Sequence, residues 1–304
     1  MGSTIRHRNA VDFSKKVRDF AGIFRHARDV AATISQIRFA TVLLDNWPAF
    51  VALVVCRNAF GRSTTFRLRN HVAFEVPTNE GLPLVRSNLM YMLWENWHDS
   101  IYTFPFVDLE PATTVVDCGA NIGVFTTYAA RRFPEGKVVA LEPVHSAFSF
   151  LERNLRLNNL DNVLAAQKGL LDLRCVRPMW IHRSNLGGHS ALGLDALESN
   201  TKAEAEFITL EDVFTDFGLE SIDLLKLDIE GAEFRVLRGT KPETFAKIHR
   251  IAMEYHLGTD RKIEELPSLL RTLGYSVRTH SASASRGMIW AARRRKEGRV
   301  PQSI

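Results

Sequence analysis

Four charged residues lie close together in the string KLDIEGAE, where a predicted strand ends and a helix begins: Lys226, Asp228, Glu230 and Glu233. The strand before them is apolar, and a charge buried there is costly unless it is paired or used. Lys226 and Asp228 are two residues apart, so they share one face of the strand. Acidic residues also suit a helix N-terminus. We nevertheless expect Lys226 and Asp228 to be catalytic and Glu230 and Glu233 to contact a substrate.

A second pair, Glu254 and His256, ends the neighbouring predicted strand HRIAMEYH, again two residues apart. Two chemistries suit these groups as catalytic residues. In the first, His256 acts as a general base that Asp228 or Glu254 orients. In the second, Asp228, Glu254 and His256 bind a divalent cation that acidifies a hydroxyl group. The residues leave both open, and we favour the metal-free version because the acids lack a recognisable ligand spacing.

A glycine-containing turn follows an earlier predicted strand, in the string VVDCGANIGV. Ligands bind beyond the carboxyl ends of strands in open α/β sheets, and small residues there let a ligand approach the backbone. We expect Gly119 and Gly123 to supply that clearance and Asn121 to adopt a left-handed conformation. The spacing is Gly-x-x-x-Gly, which differs from the Gly-x-Gly-x-x-Gly pattern of a dinucleotide site. A nicotinamide cofactor is therefore disfavoured.

Acidic residues flank this turn. Asp117, at the end of the first strand, can accept a hydrogen bond from an ammonium group, and Glu142, at the end of the next strand, can bind both ribose hydroxyls of a nucleoside. An amino acid joined to adenosine, without a phosphate, satisfies both, so the residues predict S-adenosylmethionine as cofactor. Asp172, after the third strand, is assigned to the adenine end on its position alone.

Two further segments are candidates for acceptor binding. The loop NLGGHS over residues 185–190 is polar and glycine-rich, and its His189 is a second candidate base. The aromatic helix predicted over 83–98 contains Trp94, whose ring face suits a sugar. The competing interpretations are an ordinary surface loop and ordinary core packing.

The elements that position these residues change along the chain. From Thr113 onward, strands, glycine-containing turns and helices alternate, which predicts βαβ units and a parallel sheet. Residues 173–209 interrupt the alternation as an inserted hairpin, and the last two strands form a hairpin at the sheet edge. Upstream, residues 10–44 have apolar residues at helical spacing, and residues 64–76 alternate as a hairpin does.

The strings VVDCGANIGVFTTYAA, VVALEPVHSAFSFLERNLRLNNLDNV, FITLEDVF and IDLLKLDIEGAEFRVLRG resemble the FkbM family of S-adenosylmethionine-dependent methyltransferases, and KLDIEGAE is the most specific part. The resemblance runs from Val107 to Leu257. It implies a Rossmann-like class I methyltransferase fold of the α/β class, with a seven-stranded, mostly parallel sheet whose last strand is antiparallel. It also implies O-methylation of a hydroxyl on a saccharide, glycolipid or secondary metabolite. We expect a helical N-terminal extension over 1–100, a methyltransferase domain over 101–295 and a basic flexible tail over 296–304.

The net charge of +5 over 304 residues suggests a polyanionic partner, but the charge is unevenly placed. Residues 1–62 have ten Lys/Arg and four Asp/Glu, residues 286–304 have six and one, and residues 63–285 have the remaining 23 and 29. An acidic centre suits a sulfonium cofactor and disfavours nucleic acid. RNA methylation and a non-catalytic cofactor-binding scaffold remain the alternative functions. The surplus positive charge of residues 1–62 predicts a peripheral membrane contact.

The remaining features favour a cytoplasmic protein. Cys56, Cys118 and Cys175 are too far apart in sequence for a zinc knuckle, and their odd number is unusual for a disulfide framework. The N-terminal residues do not resemble a secretory signal. The longest apolar run, Trp47 to Cys56, has ten residues and is too short to span a bilayer.

Overall fold

The computed structural model describes residues 33–55, 63–78, 82–103, 106, 109–111, 113–181, 201–256, 264–283 and 286–293. Several expectations lie outside these residues: the basic arm before residue 33 with its membrane contact, the loop that contains His189, and the tail from residue 296. They stay predictions.

A seven-stranded sheet forms the centre of the protein. Its strands are β3 (Val115–Cys118), β4 (Val138–Leu141), β5 (Val163–Ala166), β9 (Leu224–Leu227), β10 (Arg250–His256), β11 (Tyr275–Ser281) and β12 (Arg286–Arg293). Their order across the sheet is β11-β12-β10-β9-β3-β4-β5. The five strands from β10 to β5 are parallel, whereas β12 is antiparallel to both of its neighbours. The expected Rossmann-like sheet with its antiparallel last strand is confirmed.

Helices follow the parallel strands and pack on the sheet. They are α4 (Val124–Arg132), α5 (His145–Leu157), α6 (Leu210–Phe217), α7 (Glu233–Gly239), α8 (Pro242–Phe245) and α9 (Glu265–Thr272). All residues of β3, β4 and β9 are buried, as their continuous apolar character predicts for parallel strands covered on both faces. Helix α6 begins directly after Thr209, because Thr209 and Asp212 form a reciprocal capping box.

The inserted segment forms a small sheet of its own beside the main one. Strands β7 (Cys175–Ile181) and β8 (Thr201–Ile208) are antiparallel, and the short strand β6 (Gly169–Leu170) pairs in parallel with β8. Met179 and Phe207 are buried side chains of this sheet that line the central cavity. The insertion therefore supplies one wall of the site described below.

The described part of the N-terminal region packs on the same body. Residues 33–43 are helical (α1) and precede α2 (Trp47–Val55), the antiparallel hairpin of β1 (Ser63–Arg67) and β2 (Ala73–Pro77), and α3 (Leu82–Trp97). The side chains of Asn154 on α5 and of Asn158, which follows its last residue, form hydrogen bonds with the backbone of β2. This anchorage brings α3 beside α4 and next to the cavity. Among the described residues, no helix has the length and apolar character needed to cross a membrane.

Candidate active site

A cavity of about 460 Å³ lies at the carboxyl ends of the parallel strands. Its volume falls in the range of roughly 300–1,000 Å³ that is typical of small-molecule sites. One end is the turn between β3 and α4, and the other is formed by residues that follow β9 and end β10. The cavity therefore joins the two groups of residues that the sequence suggested for cofactor and acceptor.

Glu142 is the central acid of the first end. Its Oε2 accepts a hydrogen bond from the backbone N–H of Asn121 at 2.8 Å, and its Oε1 accepts one from Val144 at 2.9 Å. Each carboxylate oxygen has two lone pairs, so each retains one for a ligand hydroxyl. Burial raises the pKa of Glu142 to about 7. The turn shapes this contact, because Asn121 has the expected left-handed conformation with φ 52°.

The two glycines of the turn have different tasks. Gly119 lines the cavity, and a Cβ added to it would lie 1.8 Å from the carbonyl oxygen of Asp228. A Cβ on Gly123 would lie 2.6 Å from Cδ1 of Leu151 on α5. Gly119 thus permits close contact between the ends of β3 and β9. Gly123 serves helix packing, so the expectation that it clears space for a ligand is wrong.

Asp117 and Lys226 form a buried ion pair beneath this turn. Lys226 Nζ lies 2.9 Å from Asp117 Oδ1 and donates to the carbonyl oxygen of Gly119 at 2.9 Å. The second oxygen of Asp117 accepts from the hydroxyl of Thr126 at 2.6 Å. Burial opposes the charged amine, but Asp117 and Asp228 outweigh it and raise the pKa of Lys226.

This pairing changes both assignments. Asp117 is completely buried, so it does not offer a free carboxylate to an ammonium group as expected. Lys226 touches the cavity, but its charged amine is already bound and holds the ends of β3 and β9 together. We therefore assign Asp117 and Lys226 to the support of the site and not to catalysis.

Two other expected contacts are also wrong. Asp172 accepts two hydrogen bonds from Arg235 on α7, at 3.1 and 2.9 Å, and does not line the cavity. Trp94 stacks between Phe39 and His98, with ring centroids 4.2 and 3.7 Å away, and it too lies outside the cavity lining. Neither residue is in place to bind cofactor or acceptor.

The second end of the cavity gathers Asp228, Glu230, Glu254 and His256. His256 Nε2 lies 3.5 Å from Glu230 Oε2 and 3.6 Å from Glu254 Oε1. Suitable oxygen and nitrogen atoms of Asp228, Glu254 and His256 all lie within 4.8 Å of one another. The structure thus brings together the residues to which the sequence analysis assigned acid–base or metal chemistry.

Glu233 stands behind this cluster. Helix α7 begins at Glu233, after a turn in which Glu230 has a left-handed φ of 50°. Glu233 Oε1 accepts from the backbone N–H groups of Ile229 and Gly231 at 3.2 and 3.1 Å, and it lies 3.4 Å from His256 Nδ1. The side chain is 2% exposed and does not line the cavity. Its expected substrate contact is therefore wrong.

The charge of His256 argues against its expected role as a base. Burial opposes protonation, but the contact with Glu233 and the charges of Glu230 and Asp228 outweigh it and raise the pKa of His256 to about 10. Burial raises the pKa of Glu230 and of Glu254. Without a further ligand, these contacts favour the protonated imidazole, whereas a general base must begin as the neutral imidazole.

Comparison with known proteins agrees with this geometry. The family model described as the methyltransferase FkbM domain matches residues 117–277, more than half of the chain. The chain belongs to the FkbM methyltransferase family.

Relatives of this FkbM methyltransferase are moderately similar to it. Methyltransferase sdnD of Sordaria araneosa is 32% identical over 182 residues, which are 50% of this chain and 70% of that protein. The 31-O-demethyl-FK506 methyltransferase FkbM of Streptomyces tacrolimicus is 28% identical over 214 residues, 62% of this chain and 82% of that protein. The crystal structure of methyltransferase FkbM from Methylobacillus flagellatus KT matches with a TM-score of 0.45 at 16% identity. The match covers 69% of this chain and 53% of the chain in that structure.

Glu95, Tyr102 and Arg286 of this FkbM methyltransferase line the cavity close to its acidic cluster, although sequence reasoning did not select them. Tyr102 donates its hydroxyl to Asp228 Oδ2 at 3.3 Å, and Arg286 Nε lies 3.7 Å from Glu254 Oε1. Burial raises the pKa of Glu95 to about 7, with further contributions from the charges of Glu254 and Asp228. The one available signal was Glu95 itself, the acid within an aromatic helix.

Proposed function

We propose that this protein transfers a methyl group from S-adenosylmethionine to a hydroxyl group of a small-molecule acceptor. The observation that carries the proposal is that one cavity contains both Asn121 and Glu142 at one end and the cluster of Asp228, Glu254 and His256 at the other. In such a cavity a cofactor and an acceptor would share one space, as direct transfer between them requires.

The first end of the cavity fits the cofactor. Glu142 has a free lone pair on each oxygen for two ribose hydroxyls, and Gly119 and Asn121 expose backbone to the cavity. Gly169 and Leu170 extend the same wall. When bound, S-adenosylmethionine supplies a methyl group on a positively charged sulfur, and that carbon–sulfur bond breaks as the acceptor oxygen takes the methyl. The electron pair of the broken bond remains on sulfur.

The second end would hold the acceptor and receive its proton. The acceptor oxygen must approach the methyl carbon to about 3 Å on the side opposite sulfur, so the residues that fix its position matter most. The carboxylates of Asp228, Glu230 and Glu254 offer acceptors for the hydroxyl hydrogen, and Tyr102 holds Asp228 in place. Asp228 and Glu254 are only partly exposed, so a bound acceptor would displace water from them and strengthen these contacts.

The charge of this end favours a small hydroxyl compound over a nucleic acid. Glu95, Asp228, Glu230 and Glu254 would repel a phosphate backbone, and Arg286 is the one Arg or Lys of the described lining besides the paired Lys226. The relative from Streptomyces tacrolimicus is named for a 31-O-demethyl compound, which supports oxygen as the atom methylated. A hydroxyl of a saccharide, glycolipid or secondary metabolite is the acceptor class we propose.

The test is methyl transfer from radiolabelled S-adenosylmethionine to a panel of saccharides, lipid extracts, polyketides and RNA. We expect S-adenosylhomocysteine to form together with label in a hydroxyl compound. Asp228→Asn should lower turnover while cofactor binding, measured by calorimetry, is retained. The matched control is Asp161→Asn, an exposed aspartate in a turn far along the chain, which should behave as wild type. Label in RNA alone, or cofactor binding without turnover on any acceptor, would refute the proposal.

A further inference from the structure

Three potential ligand atoms meet at the acceptor end of the cavity. Asp228, Glu254 and His256 each offer one atom, and these atoms all lie within 4.8 Å of one another. Three atoms that are at most 4.8 Å apart can all lie within about 2.8 Å of a common point. A movement of each side chain by about 0.6 Å or less would therefore bring all three to the roughly 2.2 Å of a ligand to a small divalent cation.

The orientation of His256 is an independent observation that points to a ligand. Its side chain is 10% exposed, and Nε2 faces the carboxylates of Glu230 and Glu254 at 3.5 and 3.6 Å. These separations are longer than the 2.7–3.2 Å, approximately, of an ordinary hydrogen bond. Among the residues that the structure describes, Nε2 makes no hydrogen bond. The side chain of His256 is thus nine-tenths buried, and its Nε2 faces the space between the carboxylates of Glu230 and Glu254.

The groups behind these atoms are arranged as they are around metal ligands. The other ring nitrogen of His256 lies 3.4 Å from Glu233, and Glu233 is held by two backbone N–H groups. A carboxylate on the far nitrogen is the usual partner of a metal-bound histidine, where it fixes the ring and its tautomer. Asp228 is likewise held by the hydroxyl of Tyr102.

The acceptor end is rich in carboxyl groups. They belong to Glu95, Asp228, Glu230 and Glu254, and the guanidinium of Arg286 lies beside them. The ammonium group of Lys226 is bound to Asp117. A cation at Asp228 and Glu254 would therefore be surrounded by further carboxyl oxygens.

We infer that Asp228, Glu254 and His256 form a binding site for a divalent cation of the Mn²⁺ and Mg²⁺ class. Two carboxylates and one imidazole match the ligand preferences of Mn²⁺. The spacing of these residues along the chain favoured a mechanism without a metal, and their distances in the folded protein now favour a metal site. The role that we give to the cation rests on the proposed function, because a cation at this site would lower the pKa of the acceptor hydroxyl before methyl transfer. The site itself is independent of that function.

Binding of Mn²⁺ to the full-length protein, without cofactor or acceptor, tests the site. Free Mn²⁺ has a six-line electron paramagnetic resonance signal that is lost on binding. We expect one tight equivalent per chain, displaced by excess Mg²⁺ and removed by EDTA. His256→Ala, Asp228→Asn and Glu254→Gln should each weaken Mn²⁺ binding by at least about tenfold.

Two variants serve as matched controls. His249→Ala removes a half-exposed imidazole that is paired with Asp223 just before β10, and it should bind Mn²⁺ as wild type does. Glu142→Gln should also retain Mn²⁺ while losing affinity for S-adenosylmethionine. An unchanged Mn²⁺ signal with wild-type protein, or equal binding by His256→Ala and wild type, would overturn the inference.

Wild-type protein provides a second readout that does not depend on whether a variant folds. Bound Mn²⁺ should broaden the ring-proton resonances of His256 strongly and those of His249 little, and equal broadening would contradict the site. The outcomes separate the two proposals. If no Mn²⁺ binds and turnover survives EDTA, the metal site is refuted and the methyl-transfer proposal stands. If Mn²⁺ binds at this site but no acceptor is methylated, the metal site stands and the methyl-transfer proposal is refuted.

Discussion

Oε1 of Glu233 lies 3.4 Å from Nδ1 of His256 and fixes the direction in which the other ring nitrogen faces the cavity. The same oxygen accepts from the backbone N–H groups of Ile229 and Gly231, so the turn after β9 and the end of β10 are joined at one atom. A residue outside the cavity thereby controls the geometry of one inside it.

Glu233→Gln should therefore impair the acceptor end without touching the cofactor end. The amide can still accept from the backbone, but its neutral oxygen holds the ring less firmly. We expect kcat to fall by about 10- to 100-fold and Mn²⁺ affinity to fall in parallel, with the Kd for S-adenosylmethionine unchanged. Steady-state kinetics and calorimetry measure these quantities. A change in cofactor Kd as large as the change in kcat would show a general structural defect instead.

The fold could be predicted further than the site. Buried parallel strands are continuous apolar runs, and helices begin at recognisable caps such as Thr209, so both appear in the local sequence. Pairing across strands is not local. In the parallel pairing of β3 with β9, Asp117 lies directly beside Lys226, and the two side chains form an ion pair. Two residues that the sequence suggested for cofactor binding and for catalysis therefore bind each other. Spacing along one strand could not reveal it.

The rotation of helix α3 about its own axis could not be predicted from the sequence either. The sequence identifies α3 as an aromatic helix but not which face meets the cavity. Packing of Phe39 from α1 against Trp94 turns that ring away, and the neighbouring face with Tyr91 and Glu95 lines the cavity instead. By contrast, Glu254 and His256 share a strand face by the period of two, which is a local property.

Ionisation of the Glu142 carboxyl group should make cofactor binding depend on pH. Burial raises the pKa of this residue to about 7, and the ionised form is the better acceptor for two hydroxyls. Affinity for S-adenosylmethionine should thus be constant above about pH 8 and weaken as pH falls below 7, approaching tenfold per unit. Titration calorimetry between pH 5.5 and 8.5, values chosen around that pKa, measures this.

Glu142→Gln is the companion variant for that experiment. Loss of a charged acceptor should weaken cofactor binding at least about tenfold at pH 8 and abolish the pH dependence. If the variant retains the wild-type pH profile, another group is responsible for it.

Two adjacent residues of α3 provide a matched comparison of the cavity-facing and stacked positions. Glu95→Gln changes a cavity-lining acid and should alter the acceptor KM by several fold. Trp94→Ala removes a ring that stacks on Phe39 and His98, so it should lower stability by about 1–3 kcal/mol, from two aromatic contacts of roughly 0.5–1.5 kcal/mol each. Acceptor KM should not change in the second variant. A KM effect confined to Trp94→Ala would contradict the assignment of these positions.

Lys226→Met should mainly destabilise the protein, because it leaves Asp117 charged and completely buried without its partner. Breaking a buried pair on one side costs about 3–5 kcal/mol. The double variant Lys226→Met with Asp117→Asn removes the orphaned charge, so its free energy of unfolding should recover in part. Urea denaturation of the wild type, both single variants and the double variant gives the coupling energy. Additive losses in the double variant would show that Lys226 and Asp117 act independently, and Lys226 would then return as a candidate for the chemistry.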